Sequence, residues 1–309
     1  MAIILPYFAR HETFHPRFGW LKKGFDKVKD DSNVFNRADA PVILGVGKNM
    51  VRAIRYWCWA FKVIEEYQEK SKHYYRQSEP GEKLLAPNGY DQYLEDPASL
   101  WLLHWNLLKN PCYATTWYYT FNHFQQAEFT VDDLLSSLVE YKEKTYPTSP
   151  IVKDSLNKDV TCLLRMYAEQ KNTKGFLEDS IDSPFVELGL IHQSSDSRYY
   201  SFNIGNKTNL PYEIIVYTCL KFAFEVSNET RSINISRLLY EEGSPGFIFK
   251  LTQGALLEAI EHVASYFKGI ALSDTAGVIQ FFYYENPGDL AEKLLNFYYS
   301  KSSPIGGKD

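Results

Sequence analysis

Long apolar runs are missing from this sequence. No stretch approaches the roughly 20 residues that a membrane-spanning helix needs. The apolar part of the N-terminal MAIILPYFARHE is too short for a secretory signal and lacks the basic leading residues of one. A soluble, unexported, cytoplasmic chain is expected. Cysteine is scarce as well: Cys58, Cys112, Cys162 and Cys219 are widely spaced, each inside an apolar or aromatic stretch such as YWCWAF or VTCLLRMY. That pattern reads as buried thiols in a reducing compartment, not as disulfide staples. Neither sign of charge is in large excess, the net being −5. With 45% hydrophobic and 16% aromatic residues among 309, wholesale disorder is excluded, and the length suits two or three domains.

The modest net charge hides a division. Residues 1–83 carry 15 Lys/Arg against 10 Asp/Glu, whereas residues 84–309 carry 18 against 28. A basic first quarter on an acidic body fits a protein that meets a polyanion at one end and protein partners at the other.

In GWLKKGFDKVKDDS, Trp20, Leu21, Phe25 and Val28 share one helical face, and Lys22, Lys23, Lys27 and Lys29 surround it. The next stretch, NRADAPVILGVGKNMVRAIRYWCWAFKVIEEY, holds a short apolar run, a corner at Gly45-Val46-Gly47, and a strong helical pattern from Lys48: helix, turn, helix. Met50, Val51, Ile54, Trp57, Cys58 and Phe61 fall inward, and Lys48, Asn49, Arg52 and Arg55 emerge together near the helix start. A polar, loop-like stretch with Pro80-Gly81 and Pro87-Asn88-Gly89 follows.

Then comes YLEDPASLWLLHWNLLKNP, a helix apolar on nearly every face and so expected to be buried, capped by Asp96, begun at Pro97 and stopped by Asn110-Pro111. FTVDDLLSSLVEYKEKT begins with Thr130 and Asp133 at capping-box spacing. SPIVKDSLNKDVTCLLRMYA reads as two shorter helical stretches, and PFVELGLIHQSSDSRYYSFNIG as two strands around a polar turn. The last third repeats the order: a helix, a turn at Gly243 to Gly246, a helix with Thr252 placed as its cap, and two strands around Thr275-Ala276-Gly277. The tail SKSSPIGGKD is expected to fray. The expected fold is mainly α with small β wings, two or three winged helix-turn-helix units in one compact chain. Its segments are a basic winged-helix unit over 1–90, a helical spine and second winged-helix unit over 91–208, and a winged-helix-like unit over 209–309.

The strings RHETFHPRFGWLKKGF, ILGVGKNMVRAIRYWCWAF, DQYLEDPASLWLLHWNLL, LNKDVTCLLRMY, SPFVELGLI and SPGFIFKL, in this order, resemble the SspB family of bacterial DNA phosphorothioation systems. In those systems sulfur replaces one non-bridging phosphate oxygen of the DNA backbone, and the mark serves antiphage defence. The resemblance implies a protein that acts on double-stranded DNA beside a cysteine desulfurase, an ATP-dependent sulfur-activating enzyme and an ATPase. It also implies an association with nicking, which opens one strand for modification. No catalytic residue is carried over from it.

Read on their own, Lys48, Asn49, Arg52 and Arg55 form the leading candidate DNA-binding face, with Lys22 and Lys23 of the preceding helix as phosphate contacts. The bland reading of the same residues is a solvated helix face. A phosphate-loop reading of Gly45 to Asn49 fails, because Val42 stands where the earlier glycine belongs and Asn49 where Ser or Thr would bind magnesium. His11-Glu12-Thr13-Phe14-His15 has the letters of a zinc-protease helix, but Pro16 and Pro6 oppose the helix it needs. His11, Glu12, His15 and Arg17 are better viewed as a polar cluster near the first unit, which either assists phosphodiester chemistry or, the favoured reading, anchors the N-terminal arm. No tightly bound cofactor is expected. Mg2+ or Mn2+ would serve if the protein nicks DNA, with Asp91, Glu95 and Asp96, or Asp132, Asp133 and Glu140, as the carboxylates to weigh. Trp101, Trp105, Trp117, Tyr118 and Tyr119 read as core, and the hairpin residues Arg198, Tyr199 and Tyr200 as a lesser candidate for a wing that touches the DNA backbone. The leading expectation is a DNA-engaging component, with cutting left open; its rivals are a nicking endonuclease whose metal site assembles from residues distant in sequence, a non-catalytic winged-helix adaptor and, remotely, a zinc metalloprotease.

Overall fold

Helix periodicity governs the start of the chain. A computed structural model describes residues 6–169, 183–227, 230–275 and 277–302. After an irregular N-terminal arm, α1 (Trp20–Asp30) buries Trp20, Leu21, Phe25 and Val28, leaves Lys29 exposed and keeps Lys22, Lys23 and Lys27 half-buried. A 3-10 turn at Val34–Asn36 leads to α2 (Ala40–Leu44), which Gly45 ends at φ 63°, and to α3 (Lys48–Ala60). Gly24 lets α1 lie close on α3, since a Cβ there would meet Cys58 Sγ at 2.3 Å. Helix α3 is buried on more sides than its inward-facing set implied, for Ala53, Tyr56 and Ala60 are covered as well.

The stretch after α3, expected to be loop, is instead an antiparallel hairpin and a short helix. Strands β1 (Ile64–Glu69) and β2 (Lys72–Gln77) pair from Ile64↔Gln77 to Glu69↔Lys72. Most of their side chains are exposed, so the apolar alternation that signals a half-buried strand is absent, and charged and tyrosine pairs replace it. Ser78 then caps α4 (Glu79–Leu85) by accepting from the Gly81 amide.

Helix α5 (Pro97–Leu108) is the buried helix that its composition demanded, with Asp96 accepting from the Ala98 amide at 2.9 Å. It is followed by α6 (Thr115–Asn122), β3 (Glu128–Thr130) and α7 (Val131–Thr145), whose Thr130–Asp133 capping box is complete. Trp101, Trp105, Trp117, Tyr118 and Tyr119 lie in the core. The two helical stretches expected next are one continuous α8 (Lys153–Tyr167), since no Gly or Pro interrupts it. PFVEL forms a 3-10 turn, because Pro184 begins it under a Ser183 cap and Gly189 ends it at φ 56°. Strands β4 (Ile191–Gln193) and β5 (Tyr199–Phe202) complete a sheet of order β3-β5-β4.

Residues Met1–Asn203 form one compact unit and Ile204–Asp309 another. The second is built from α9 (Tyr212–Ser227), β6 (Ser232–Asn234), α10 (Ile235–Tyr240), α11 (Pro245–Phe249), α12 (Gln253–Ala264), β7 (Ile270–Thr275), β8 (Val278–Tyr283) and α13 (Pro287–Ser302). The expected glycine turn at 243 to 246 is partly helical, as Ser244 caps α11 there, and Thr252 caps α12 by accepting from the Ala255 amide. Its sheet has the order β6-β8-β7. Both three-stranded sheets thus place the last strand between the first and the second, with helices inserted after the first. Helix α9 packs on α12 and α13. The four cysteines are buried free thiols. No helix of the described residues is long and apolar enough to cross a membrane. Ala276 of the expected turn, and 303–309 of the expected frayed tail, lie outside the described residues.

The fold is mainly helical with small antiparallel sheets. Its β1–β2 hairpin closes through a two-residue turn in which Lys70 and Ser71 have φ of 46° and 65°. Both belong to the left-handed region that a type I′ turn requires and that Asn-Gly fills without strain. The double replacement Lys70→Asn with Ser71→Gly should therefore raise stability by about 1 kcal/mol, read as a higher midpoint in denaturant unfolding. An unchanged or lower midpoint would show that the turn is not strained.

Candidate nucleic-acid interface

The interface begins with the N-terminal arm. Tyr7 exchanges backbone and hydroxyl hydrogen bonds with Thr115 at the start of α6, at 2.9 and 3.2 Å. Further on, Asp159 of α8 is almost fully buried, and one of its oxygens accepts from the Ala9 amide at 2.9 Å and from His11 Nε2 at 2.7 Å. The other oxygen accepts from the Thr116 hydroxyl at 2.7 Å. His11, itself fully buried, stacks on Trp57 and meets Trp117 edge-on, with ring centroids 6.1 and 5.7 Å away. Burial opposes the charged imidazolium, yet the Cys162 sulfur and the Asp159 carboxylate more than offset that and raise its pKa to about 10.

Residues 11–15 are not helical. Glu12 and Thr13 have φ of 50° and 68°, and the Phe14 amide donates to the His11 carbonyl to close a tight turn. His11 and His15 are therefore not displayed one helical turn apart, as a zinc-protease helix requires. His15 is buried. The Arg17 guanidinium lies over the Phe14 and Trp20 rings at 5.7 and 5.5 Å. The Phe14 carbonyl accepts from the Trp57 indole at 2.8 Å, and this contact sets the arm against α3.

Beside the arm, α3 offers Lys48, Asn49 and Arg52 to solvent, and Arg52 Nη1 stands 3.4 Å from Glu12 Oε1. An exposed pair of that length contributes little stability and is readily exchanged for another anion. Arg55, one turn on, is half-buried and turned toward the hairpin, its guanidinium 6.0 Å from the Tyr75 ring centroid. Lys22 is paired with Asp26 at 2.5 Å, and Lys23 Nζ donates to the Leu44 carbonyl at the end of α2 at 3.0 Å. Lys23 thereby braces the turn that precedes α3. The sequence reading missed the hairpin, which adds Lys70, Lys72, His73 and Arg76 to this part of the first unit. Its outer face carries Tyr67 and Tyr74 with stacked rings 5.7 Å apart and Arg76 over Tyr67. Arg198, on the β4–β5 hairpin, is exposed and held by Asp196 at 2.7 Å.

The family model described as Protein of unknown function (DUF4007) matches residues 8–299. No curated protein matches the sequence. Two solved structures are similar along nearly the whole chain. One, described as an SspB crystal structure, is 37% identical with a TM-score of 0.91, and the match covers 98% of this chain and 91% of that one. The other, a magnesium ion-bound SspB crystal structure, is 36% identical with the same TM-score and coverage.

Among the described residues no three His, Cys, Asp or Glu side chains converge as a metal site. Asp91 spends its oxygens on the Glu95 and Asp96 amides and the Ser99 hydroxyl, Asp96 caps α5, and Asp133 serves the Thr130 capping box. Asp91, Asp96 and Asp133 thus serve as turn and cap acceptors.

Protonation of the buried His11 ring, favoured by Cys162 and by Asp159, makes a pH-dependent contribution. Because the folded state raises the His11 pKa from 6.5 to about 10, the stabilisation is complete below pH 6.5 and is lost as pH rises toward 10. Replacing Asp159→Asn should cost about 3–5 kcal/mol at neutral pH and reduce, without abolishing, the fall in stability between pH 6.5 and 10, as followed by urea unfolding at a series of pH values. A variant that keeps the wild-type slope would place the titration elsewhere.

Proposed function

The chain belongs to the DUF4007 family and is an SspB-family protein, and from that premise we propose that it is the DNA-engaging component of a bacterial phosphorothioation and antiphage defence system. In this reading it binds duplex DNA in the cytoplasm and opens one strand so that sulfur can be incorporated. The single observation that carries it is the exposed start of α3, where Lys48, Asn49 and Arg52 face solvent just past the Gly45–Gly47 corner. Residues at i, i+1 and i+4 share one helical face, and an arginine fork and an asparagine amide are suited to the edges of guanine and adenine in a major groove.

Each of the three groups of helices followed by a hairpin is read as a winged-helix module: α1 to β2, α6 to β5 and α9 to β8. Support comes from the strand order of the two three-stranded sheets, and in the first module from the hairpin that directly follows α3. There α3 is the groove-reading helix and the Lys70 turn the wing tip that meets phosphate. Lys22 and Lys23 act at shorter reach: Lys22 can exchange Asp26 for a phosphate, and Lys23 holds the corner before α3 in place. The acidic remainder of the chain suits contacts with the cysteine desulfurase, the sulfur-activating enzyme and the ATPase of the same system. A purely adaptor function for the winged modules is the second reading, and the surplus of acidic residues over 84–309, which spans the end of the first unit and all of the second, favours it for the modules after the first.

Gel shift of a duplex at several salt concentrations separates the two. Affinity for DNA should fall steeply with salt. Lys48→Ala and Arg52→Ala should each weaken binding several-fold, and the phosphate-contacting lysine should reduce the salt slope by about one. Far-UV circular dichroism should stay unchanged, because both side chains are exposed. Binding that ignores both replacements would remove α3 from the interface, and a wild-type chain that does not bind duplex would leave the adaptor reading.

A further inference from the structure

We propose that the polar cleft between α3, the Val34–Asn36 turn and the inner face of the β1–β2 hairpin is where one DNA strand is hydrolysed, with His73 as the general base. The proposal rests on the reading of the chain as a DNA-engaging protein and supplies the site that reading lacks. The cleft has a volume of about 490 Å³ and is lined by Asn36, Arg55, Glu66, Lys72, His73 and Tyr75 among others. That is room for a nucleotide-sized group.

The hairpin register creates the constellation. Glu66 and Tyr75 are direct cross-strand partners, so their side chains leave the sheet on the same face. His73 lies two residues before Tyr75 and shares that face by strand alternation. Glu66 Oε1 stands 3.1 Å from His73 Nδ1 and accepts from the Tyr75 hydroxyl at 2.9 Å. Burial pushes the Tyr75 hydroxyl up to about 12, which keeps it a neutral donor that steadies the carboxylate.

The scaffold beneath is tied down: Asn36 Nδ2 donates to the His73 carbonyl at 2.8 Å, and the Tyr75 amide donates to the Ser32 carbonyl at 2.9 Å. A site held by such contacts on a strand is positioned more exactingly than one on a free loop. Arg55 enters from α3, three residues beyond the Arg52 that faces solvent, and turns its half-buried guanidinium toward Tyr75. Stability does not account for the pair, because the His73 side chain is 58% exposed and an ion pair so exposed contributes ~0–1 kcal/mol.

The chemistry follows from the tautomer. With Nδ1–H donating to Glu66, Nε2 carries the lone pair, as when a carboxylate orients a catalytic histidine. Nε2 takes a proton from a water molecule as the water oxygen bonds to phosphorus. The bond from phosphorus to one ester oxygen breaks, and the departing alkoxide takes a proton from solvent. One strand end is left with a phosphate and the other with a hydroxyl, and no electrons are exchanged. Arg55 offsets the negative charge that builds on the phosphoryl oxygens. One such cleft per chain cuts one strand, so the product is a nick.

The test uses the full chain and supercoiled plasmid, with and without Mg2+ or Mn2+, following conversion to the open circle. His73→Ala should slow nicking by about 10²-fold or more, while gel-shift affinity stays within about two-fold and the melting temperature is unchanged. Added imidazole should restore part of the His73→Ala rate and none of the Arg55→Ala rate. Glu66→Gln, which alters a positioning residue, should lower kcat with KM unchanged. His73→Ala nicking at the wild-type rate, or a wild-type chain that binds duplex and never nicks it, overturns the proposal and leaves DNA engagement standing. A wild-type chain that fails the gel shift overturns the reading beneath it instead.

Discussion

Asp159 decides where the beginning of the chain goes. It is a buried carboxylate on α8 whose two oxygens accept from the Ala9 amide, the His11 ring and the Thr116 hydroxyl, and it joins the arm, α6 and α8 at one point. A charge so placed is costly to desolvate, and a buried pair seldom repays more than that cost. The stability around it comes from the aromatic shell: burying indoles such as Trp57 and Trp117 contributes roughly 4–6 kcal/mol each. The pair adds uniqueness. A sliding arm would strand an unpaired carboxylate in that shell, so there is one position for His11, and with it one position for Glu12 and Phe14 over α3.

That placement has consequences for the basic helix beside it. The arm covers one flank of α3 and leaves the start of the helix open, with Glu12 as a weak internal substitute for an external anion at Arg52. On the other flank the hairpin draws Arg55 away from solvent toward Tyr75. Four residues that look equivalent on a helical wheel thus divide into two tasks. Lys48, Asn49 and Arg52 are suited to meeting a groove, and Arg55 belongs to the cleft in which Glu66 orients His73. Binding and hydrolysis, as proposed, share one helix, which fixes the distance between the bound duplex and the bond to be cut.

Much of the helical framework was legible in residue patterns because caps and periodicity act locally. Asp96 with Pro97, Thr130 with Asp133, and Thr252 each satisfy backbone donors within three residues of themselves, so the letters alone announce the helix start. The boundaries of α8 were less legible: its mixed face suggested two stretches, yet nothing in it breaks a helix. The β1–β2 hairpin was illegible for a different reason. Its faces are mostly wet, its turn is Lys-Ser where glycine or asparagine is the usual signal, and its stabilising pairs are charged and tyrosine contacts that carry no hydrophobic period.

The sequence by itself determined the mainly helical class, the buried thiols, the aromatic core, the exposed basic start of α3 at Lys48 to Arg52 and the family resemblance, since each is written in neighbouring residues or in composition. Only the tertiary structure decided that His11 meets Asp159 across 148 positions, that Lys23 braces α2 where a free phosphate contact was expected, and that Glu66, His73 and Arg55 line one cleft. The physical reason is that a long-range contact depends on how helices and strands pack. The identity of a side chain states what it can bond to, and packing alone states what it reaches.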